Sequence, residues 1–336
     1  MKRSILALLV ASACLMPLAA MGGKSGGSGT AQSQPTLEPI VIQIGAIKGP
    51  TGIGAIRLFE ADPVLPDNAR FAIQGVASAD AMVAKMLSGE LDAAVLPVNM
   101  AAKLYNAGQQ YSLLAVVGNG MVKVVTTDAS IMSIADLKGR DVYVAGQGAT
   151  PEYILRAIMP HFGIDADKDA HLIFSMPYPE LAASVAAGRV SIAVLPEPFA
   201  TLALKGNAQA RVPFSLSALW SKVTGQADYP MSVFVIRTRL VAERPGAVAA
   251  LLADYKASIS SVLGDPAAAG VLVEQYDMGL KAPIATAAIP SCAFVFIPAR
   301  EARPSIEALL SVFLAAAPAS IGSRLPDEAW YASVKR

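Results

Sequence analysis

Short apolar runs bounded by turn residues recur along the chain, among them Val41-Ile42-Gln43-Ile44, Asp141-Val142-Tyr143-Val144 and Ile192-Ala193-Val194-Leu195. Runs of this length, closed off by Gly, Pro or Asp, predict buried strands. Helix signals fall between them. Thr150 suits an N-cap, Pro151 the first helical position and Glu152 the first turn, while Tyr153, Ile154 and Ile158 supply an apolar face. Strands alternating with helices predict parallel sheets joined by right-handed crossovers, so the expected fold class is α/β.

The pattern repeats. Gly89-Glu90-Leu91-Asp92-Ala93-Ala94-Val95-Leu96-Pro97 returns as Gly188-Arg189-Val190-Ser191-Ile192-Ala193-Val194-Leu195-Pro196, an offset of 99 residues from Gly89 to Gly188. The same offset, without a gap, lays Lys48-Gly49-Pro50-Thr51 over Gln147-Gly148-Ala149-Thr150. Each copy then reads as strand, glycine loop with a threonine, helix, strand, helix, and an apolar strand ending in proline. Two such units predict two α/β lobes.

The stretch Ile47 to Phe59 has the glycines and lysine of a phosphate loop but neither standard spacing: Lys48 precedes Gly49, and Gly49, Gly52 and Gly54 do not form a dinucleotide fingerprint. In open α/β sheets ligands lie beyond the carboxyl ends of the strands, and free N–H groups at a helix start favour polar or anionic groups. The paired loops 48–52 and 147–151 are therefore expected to hold the two sides of one small ligand. Either loop alone reads equally well as a tight turn.

Composition narrows the partners. The 336 residues allow two domains of ~100–200 residues each. Lys and Arg number 27 against 26 Asp and Glu, a net charge of +1 that gives no general attraction to nucleic acid or an anionic membrane. Met1-Lys2-Arg3 followed by an apolar stretch to Met21 reads as an export signal, residues 1–21, and residues 22–38 as a flexible Gly/Ser-rich linker. Two cuts compete: before Cys14, leaving a lipid-anchored protein, or near Ala20 to Gly22, releasing a soluble one. The expected location is the periplasm or the outer face of a membrane. Cys292 is the only other cysteine, so no disulfide framework forms, and its apolar neighbours predict a buried, inert thiol. The only histidines, His161 and His171, have no ligand-spaced partners, so neither a metal site nor a cofactor is expected.

The runs "KGPTGIG", "GELDAAVLPVNMAAKLYNAG", "SIADLKGRDVYVAGQGATPEYILR", "VLPEPFATLAL" and "SIGSRLPDEAWY" resemble solute-binding proteins of ABC importers in the nitrate, sulfonate, taurine and thiamine-precursor group, from about residue 40 to the C-terminus. The resemblance implies a two-lobed periplasmic-binding fold of type II, with lobe one formed by residues 39–119 and 233–336 and lobe two by 120–232. It places the crossings near Gly118-Asn119-Gly120-Met121 and Tyr229-Pro230-Met231-Ser232. It implies a small-molecule solute between the lobes, delivery to a permease and its ATPase, and no catalysis.

By position in that family, the ligand contacts are Lys48, Pro50 and Thr51; Val98 and Asn99; Asn119; Gly148, Ala149 and Thr150; Glu197; and Tyr229 and Ser232. Asn99 offers two donors and an acceptor to a polar solute. Glu197 has two readings, facing a cationic ligand group or capping a helix and pairing with a base; the structural role is preferred. Among these loops only Tyr229 is aromatic, which favours a compact polar or anionic solute, although Trp220 and Phe199 are close in sequence. An enzyme of precursor biosynthesis on the same fold is the first alternative, disfavoured by the export signal. Its candidate carboxylates are Glu197 and Asp136, of which Asp136 follows Ser133 at capping-box spacing and suits a helix start. A sensory or structural lipoprotein is the second alternative.

Overall fold

The computed structural model describes residues 37–334. The export segment, Cys14 and the Gly/Ser stretch up to residue 36 lie outside the described residues. Leu37 and Glu38, assigned to the linker, already carry fold contacts: their carbonyls accept from Asn68 Nδ2 (2.9 Å) and Arg244 (2.8 Å).

Eleven strands among the described residues make two sheets. The first is built from β1 (Ile40–Ile47), β2 (Ala69–Val76), β3 (Ala93–Pro97), β4 (Tyr111–Asn119), β10 (Pro230–Arg237) and β11 (Phe294–Pro298), in the order β11-β4-β10-β3-β1-β2. The second holds β5 (Val122–Thr126), β6 (Asp141–Val144), β7 (His171–Ile173), β8 (Ile192–Pro196) and β9 (Arg211–Ser215), in the order β7-β6-β8-β5-β9. Helices α1 (Pro50–Ile53), α2 (Ala79–Ser88) and α3 (Val98–Asn106) serve the first sheet; α4 (Thr150–Ile158), α5 (Tyr178–Ala186), α6 (Phe199–Gly206) and α7 (Leu216–Thr224) serve the second. The remainder are α8 (Thr238–Glu243), α9 (Pro245–Gly264), α10 (Pro266–Gln275), α11 (Ala282–Ala288) and α12 (Ala299–Ala316).

The 99-residue offset superposes β3 on β8 residue for residue and α2 on α5 within a residue. It breaks down at the first helix. After β6 comes α4, nine residues long, whereas after β1 comes α1, a single turn of four. The capping box at Ser133 and Asp136 forms as read, at the head of a short 3-10 turn, Ile134–Leu137.

The sheets exchange strands. β4 leads into β5, which runs antiparallel between β8 and β9; later the chain returns through β10, antiparallel between β3 and β4. The first crossing is Gly120 and Met121, and the second ends where β10 begins, at Pro230. The two registers match: Val122 opposes Pro196 at the end of β8, and Ser232 opposes Pro97 at the end of β3.

Apolar burial follows the layers. One face of the first sheet packs against α9, α10 and α11 through Leu251, Tyr255, Val273 and Ala285. α9 is long and apolar enough to cross a membrane, yet it buries Val248, Leu251, Ile259 and Val262 on that face. One face of the second sheet packs against α5 and α6. The remaining faces share a continuous core in which Ile154, Leu155 and Ile158 of α4 meet Ile306, Leu309 and Phe313 of α12. The Tyr153 ring stands edge-on to Phe313 at 4.9 Å.

Candidate functional site

The first glycine loop is tied down on its own side. Gly49 has φ 94° and ψ −153°, open to glycine and strained for any side chain, and its N–H donates to Met278 O (2.8 Å). Gly52 is packed so closely on Ile47 O and Met278 Cε that a Cβ would lie 2.5 Å from each. Lys48, read as a ligand contact, turns its ammonium onto the Asp277 carboxylate, which it holds below the usual carboxylate range. Pro50 and Thr51 lie half-buried on the one-turn helix.

The second loop corrects the capping assignment. Thr150 is 5% exposed and is the first residue of α4; Ala149 holds the N-cap position, and no side chain caps from there. Glu152 does the capping instead: its carboxylate accepts the Gly148 N–H (2.8 Å) while Arg156 Nε holds its other oxygen (2.8 Å). This carboxylate closes the turn ahead of the helix, on a donor one residue before the N-cap, while Thr150 packs inward.

At the crossings the carboxyl ends of β3 and β8 converge. Ser232 lies opposite both Pro97 and Gly118; beyond Pro97, α3 opens with Val98, which is buried, and Asn99, which is half-buried. The Asn119 N–H donates to Ala293 O (2.9 Å), and the Glu197 N–H donates to Met121 O (3.1 Å). The residue after β8 is thus bonded directly to the first crossing, and the end of β3 is linked to the end of β4 through Ser232 of β10. Opposite the first crossing lies the second. A Cβ on Gly120 would stand against Ser217 Oγ, 2.5 Å from Asp228 Oδ1 and 2.6 Å from Tyr229 Cζ.

Glu197 and Tyr229 face inward. The Glu197 carboxylate is 0% exposed; one oxygen pairs with Lys123 and the other accepts the Thr201 N–H of α6 (3.0 Å), the capping and pairing role of its two readings. Lys123 escaped the sequence reading, although a lysine within Val122-Lys123-Val124-Val125 is the signal of a base drawn into a strand. Tyr229 is 0% exposed, with its ring edge-on to the buried Trp220 at 5.7 Å, and burial pushes its phenol well above the ordinary value. Cys292 is buried, its thiol raised by that burial and then by the Glu197 carboxylate, in keeping with an inert sulfur.

One aromatic feature went unread. Tyr178, at the start of α5, and Phe199, at the start of α6, stack with centroids 5.4 Å apart and planes inclined by 16°. The Tyr178 hydroxyl abuts Gly146 of the second loop, whose lack of a side chain makes room for it, and burial raises the phenol to about 12. The offset sets these rings over Ala79 and Met100, so the repeat itself held the signal: aromatic in one copy, aliphatic in the other. Among the described residues no group of three His, Cys, Asp or Glu is placed to hold a metal ion.

Two α/β sheets that trade antiparallel strands through a pair of touching crossings define a two-lobed binding protein of the type II periplasmic class. The NMT1-like family matches residues 69–272, and the chain belongs to that family. An ABC transporter from Parabacteroides distasonis is similar with a TM-score of 0.74 and 25% identity, over 88% of this chain and 99% of that one. The periplasmic aliphatic sulphonate binding protein of Escherichia coli (0.64, 16% identity, 86% and 93% covered) shares the fold. So does the periplasmic nitrate-binding protein of Synechocystis (0.58, 14% identity, 84% of each chain). No protein of curated function matches the chain.

Proposed function

We propose that the protein is the extracytoplasmic solute-binding component of an ABC importer, which closes on a small polar or anionic solute and delivers it to a permease with its ATPase, without catalysis. The observation that carries this reading is the convergence of the ends of β3 and β8 on Gly118–Val122, with the second crossing packed on Gly120. Two lobes joined through adjacent connections close about them, and a solute shifts that equilibrium by its preference for the closed form. The lobes are residues 39–119 with 233–336, and 120–232. Pro50, Thr51, Asn99, Asn119, Gly148 and Ala149 line the cleft, with Lys48 at its rim; the buried Val98, Thr150, Ser232, Glu197 and Tyr229 support it from beneath. Export precedes function, with the mature chain either lipid-anchored through Cys14 or free in the periplasm.

Thermal unfolding against sulfonates, inorganic oxyanions, amino acids and heterocycles tests the proposal. A solute that binds only the native state stabilises it by about 2.7 kcal/mol at a hundredfold excess over Kd. The expected result is a shift with one class that Thr51→Ala combined with Asn99→Leu removes. A shift indifferent to both changes would place binding elsewhere, and no shift across the panel would reject a solute receptor.

A further inference from the structure

We infer that the first sheet and its helices carry a second small-molecule site, separate from the cleft, for a zwitterion with an apolar side chain such as an aliphatic α-amino acid. The site arises where the edge of β4 changes partner. β11 pairs with β4 from Gly118 to Ala115 and ends at Pro298, which has no N–H to extend the ladder. Tyr331 then bridges the same strand at Leu113, and the Ala332 N–H donates to Leu113 O (2.9 Å). Between the two lies Leu114, and around it opens a cavity of about 510 Å³, walled by Leu252 of α9, Phe296 of β11 and Val334 of the C-terminal segment. That volume suits a small ligand. The C-terminal wall is anchored: Trp330 and Tyr331 are buried, and the Arg303 guanidinium lies over the Tyr331 ring at 5.3 Å.

Two charged side chains line the same cavity, Lys256 of α9 and Glu301 in the first turn of α12. They are opposite in sign, yet among the described residues neither forms an ion pair, whereas Lys48, Lys123 and Arg156 at the loops and crossings each have a carboxylate. Opposed charges that flank an apolar hollow without meeting fit a ligand that carries both. Its carboxylate would go to Lys256, its ammonium to Glu301, and its side chain down among Leu252, Phe296 and Val334. A singly charged ligand would engage only one of the two. On α9, one residue before Lys256, the Tyr255 hydroxyl is fully buried with no partner among the described residues, its ring 6.5 Å from that of Phe296. A donor left over in this way is satisfied when a ligand oxygen or a water that accompanies it comes within reach. The residues that line this cavity belong neither to the glycine loops nor to the crossings, so a molecule here does not compete with a solute in the cleft.

Titration calorimetry on the full chain tests the site with L-norleucine, hexanoate and pentylamine, the last two keeping the carbon chain and dropping one charge each. The expected result is saturable binding of norleucine and weaker binding of the other two. Lys256→Met and Glu301→Gln are each expected to weaken norleucine about threefold to fivefold, the range for exposed charge pairs. Ala253→Phe, at an exposed position on the cavity wall, fills the hollow and is expected to abolish binding with an unchanged melting temperature. Thr51→Ala with Asn99→Leu is expected to leave this binding as it is. Norleucine binding that the cleft variant removes and Ala253→Phe does not would assign the amino acid to the cleft and overturn the second site. Hexanoate or pentylamine bound as tightly as norleucine would overturn it, and so would the absence of binding by all three.

Discussion

The Lys123 ammonium meets the Glu197 carboxylate inside the second sheet, where Lys123 of β5 lies opposite Leu195 of β8. Glu197 is fully enclosed, so removal of its partner strands a charge away from water. Lys123→Met is therefore expected to cost about 3–5 kcal/mol in urea unfolding, and Glu197→Ala a similar amount. Combined with Glu197→Gln, the lysine change is expected to cost clearly less than the sum. Strict additivity of the two would mean that they do not act as a pair.

Gly120→Ala tests the contact between the crossings. A methyl there collides with Asp228 and Tyr229, and the expected loss of stability is about 1–3 kcal/mol. A variant that melts with the parent would show that the crossings are not packed on each other.

Asp228 predicts a pH dependence. Burial is the main cause that raises its carboxyl above the ordinary range, against the N–H of Tyr229, which favours the charged form. A raised acid contributes stability at pH below its unfolded value and loses that contribution as pH rises through the folded value. Asp228→Asn is expected to gain stability relative to the parent on going from about pH 4 to neutral. Parallel melting curves of the two proteins over that range would refute the assignment.

Phe313→Ala opens the core shared by α4 and α12 and is expected to cost about 3–5 kcal/mol. Calorimetry of the parent should give one transition, displaced as a whole in the variant. Two separable peaks, only one of them moved, would mean that the sheets melt apart.

Much of the fold is legible in the chain because its elements are set by short-range patterns. The identity of β3 and β8 at a fixed offset follows from apolar runs ended by Leu-Pro, and the box at Ser133 and Asp136 needs only a turn of local sequence. What local pattern does not reach is pairing over distance. Lys48 meets Asp277 and Lys123 meets Glu197 because strands and turns remote in sequence are brought together, and neither partner advertises the other. Residue type suggests Thr150 as the cap, whereas the N-cap falls one residue earlier, at Ala149, and Glu152, steadied by Arg156, binds the Gly148 N–H ahead of it. Tyr178 and Phe199 pair only because β7 and β8 flank β6 and deliver both helix starts to one edge.

The exchange of strands also sets an order of assembly. The five strands of the second sheet lie within residues 122–215, so that sheet can close as soon as this stretch has emerged from the ribosome. The first sheet cannot. β3 can pair with β1 at once on one edge, but its other edge and the whole of β4 have no partner until β10 arrives between them at residue 230, and β11 comes later still. During that interval two apolar strands present open edges, the kind of surface on which chains aggregate. A chaperone that shields residues 93–119 until the last third is made would protect the part of the molecule that synthesis leaves waiting.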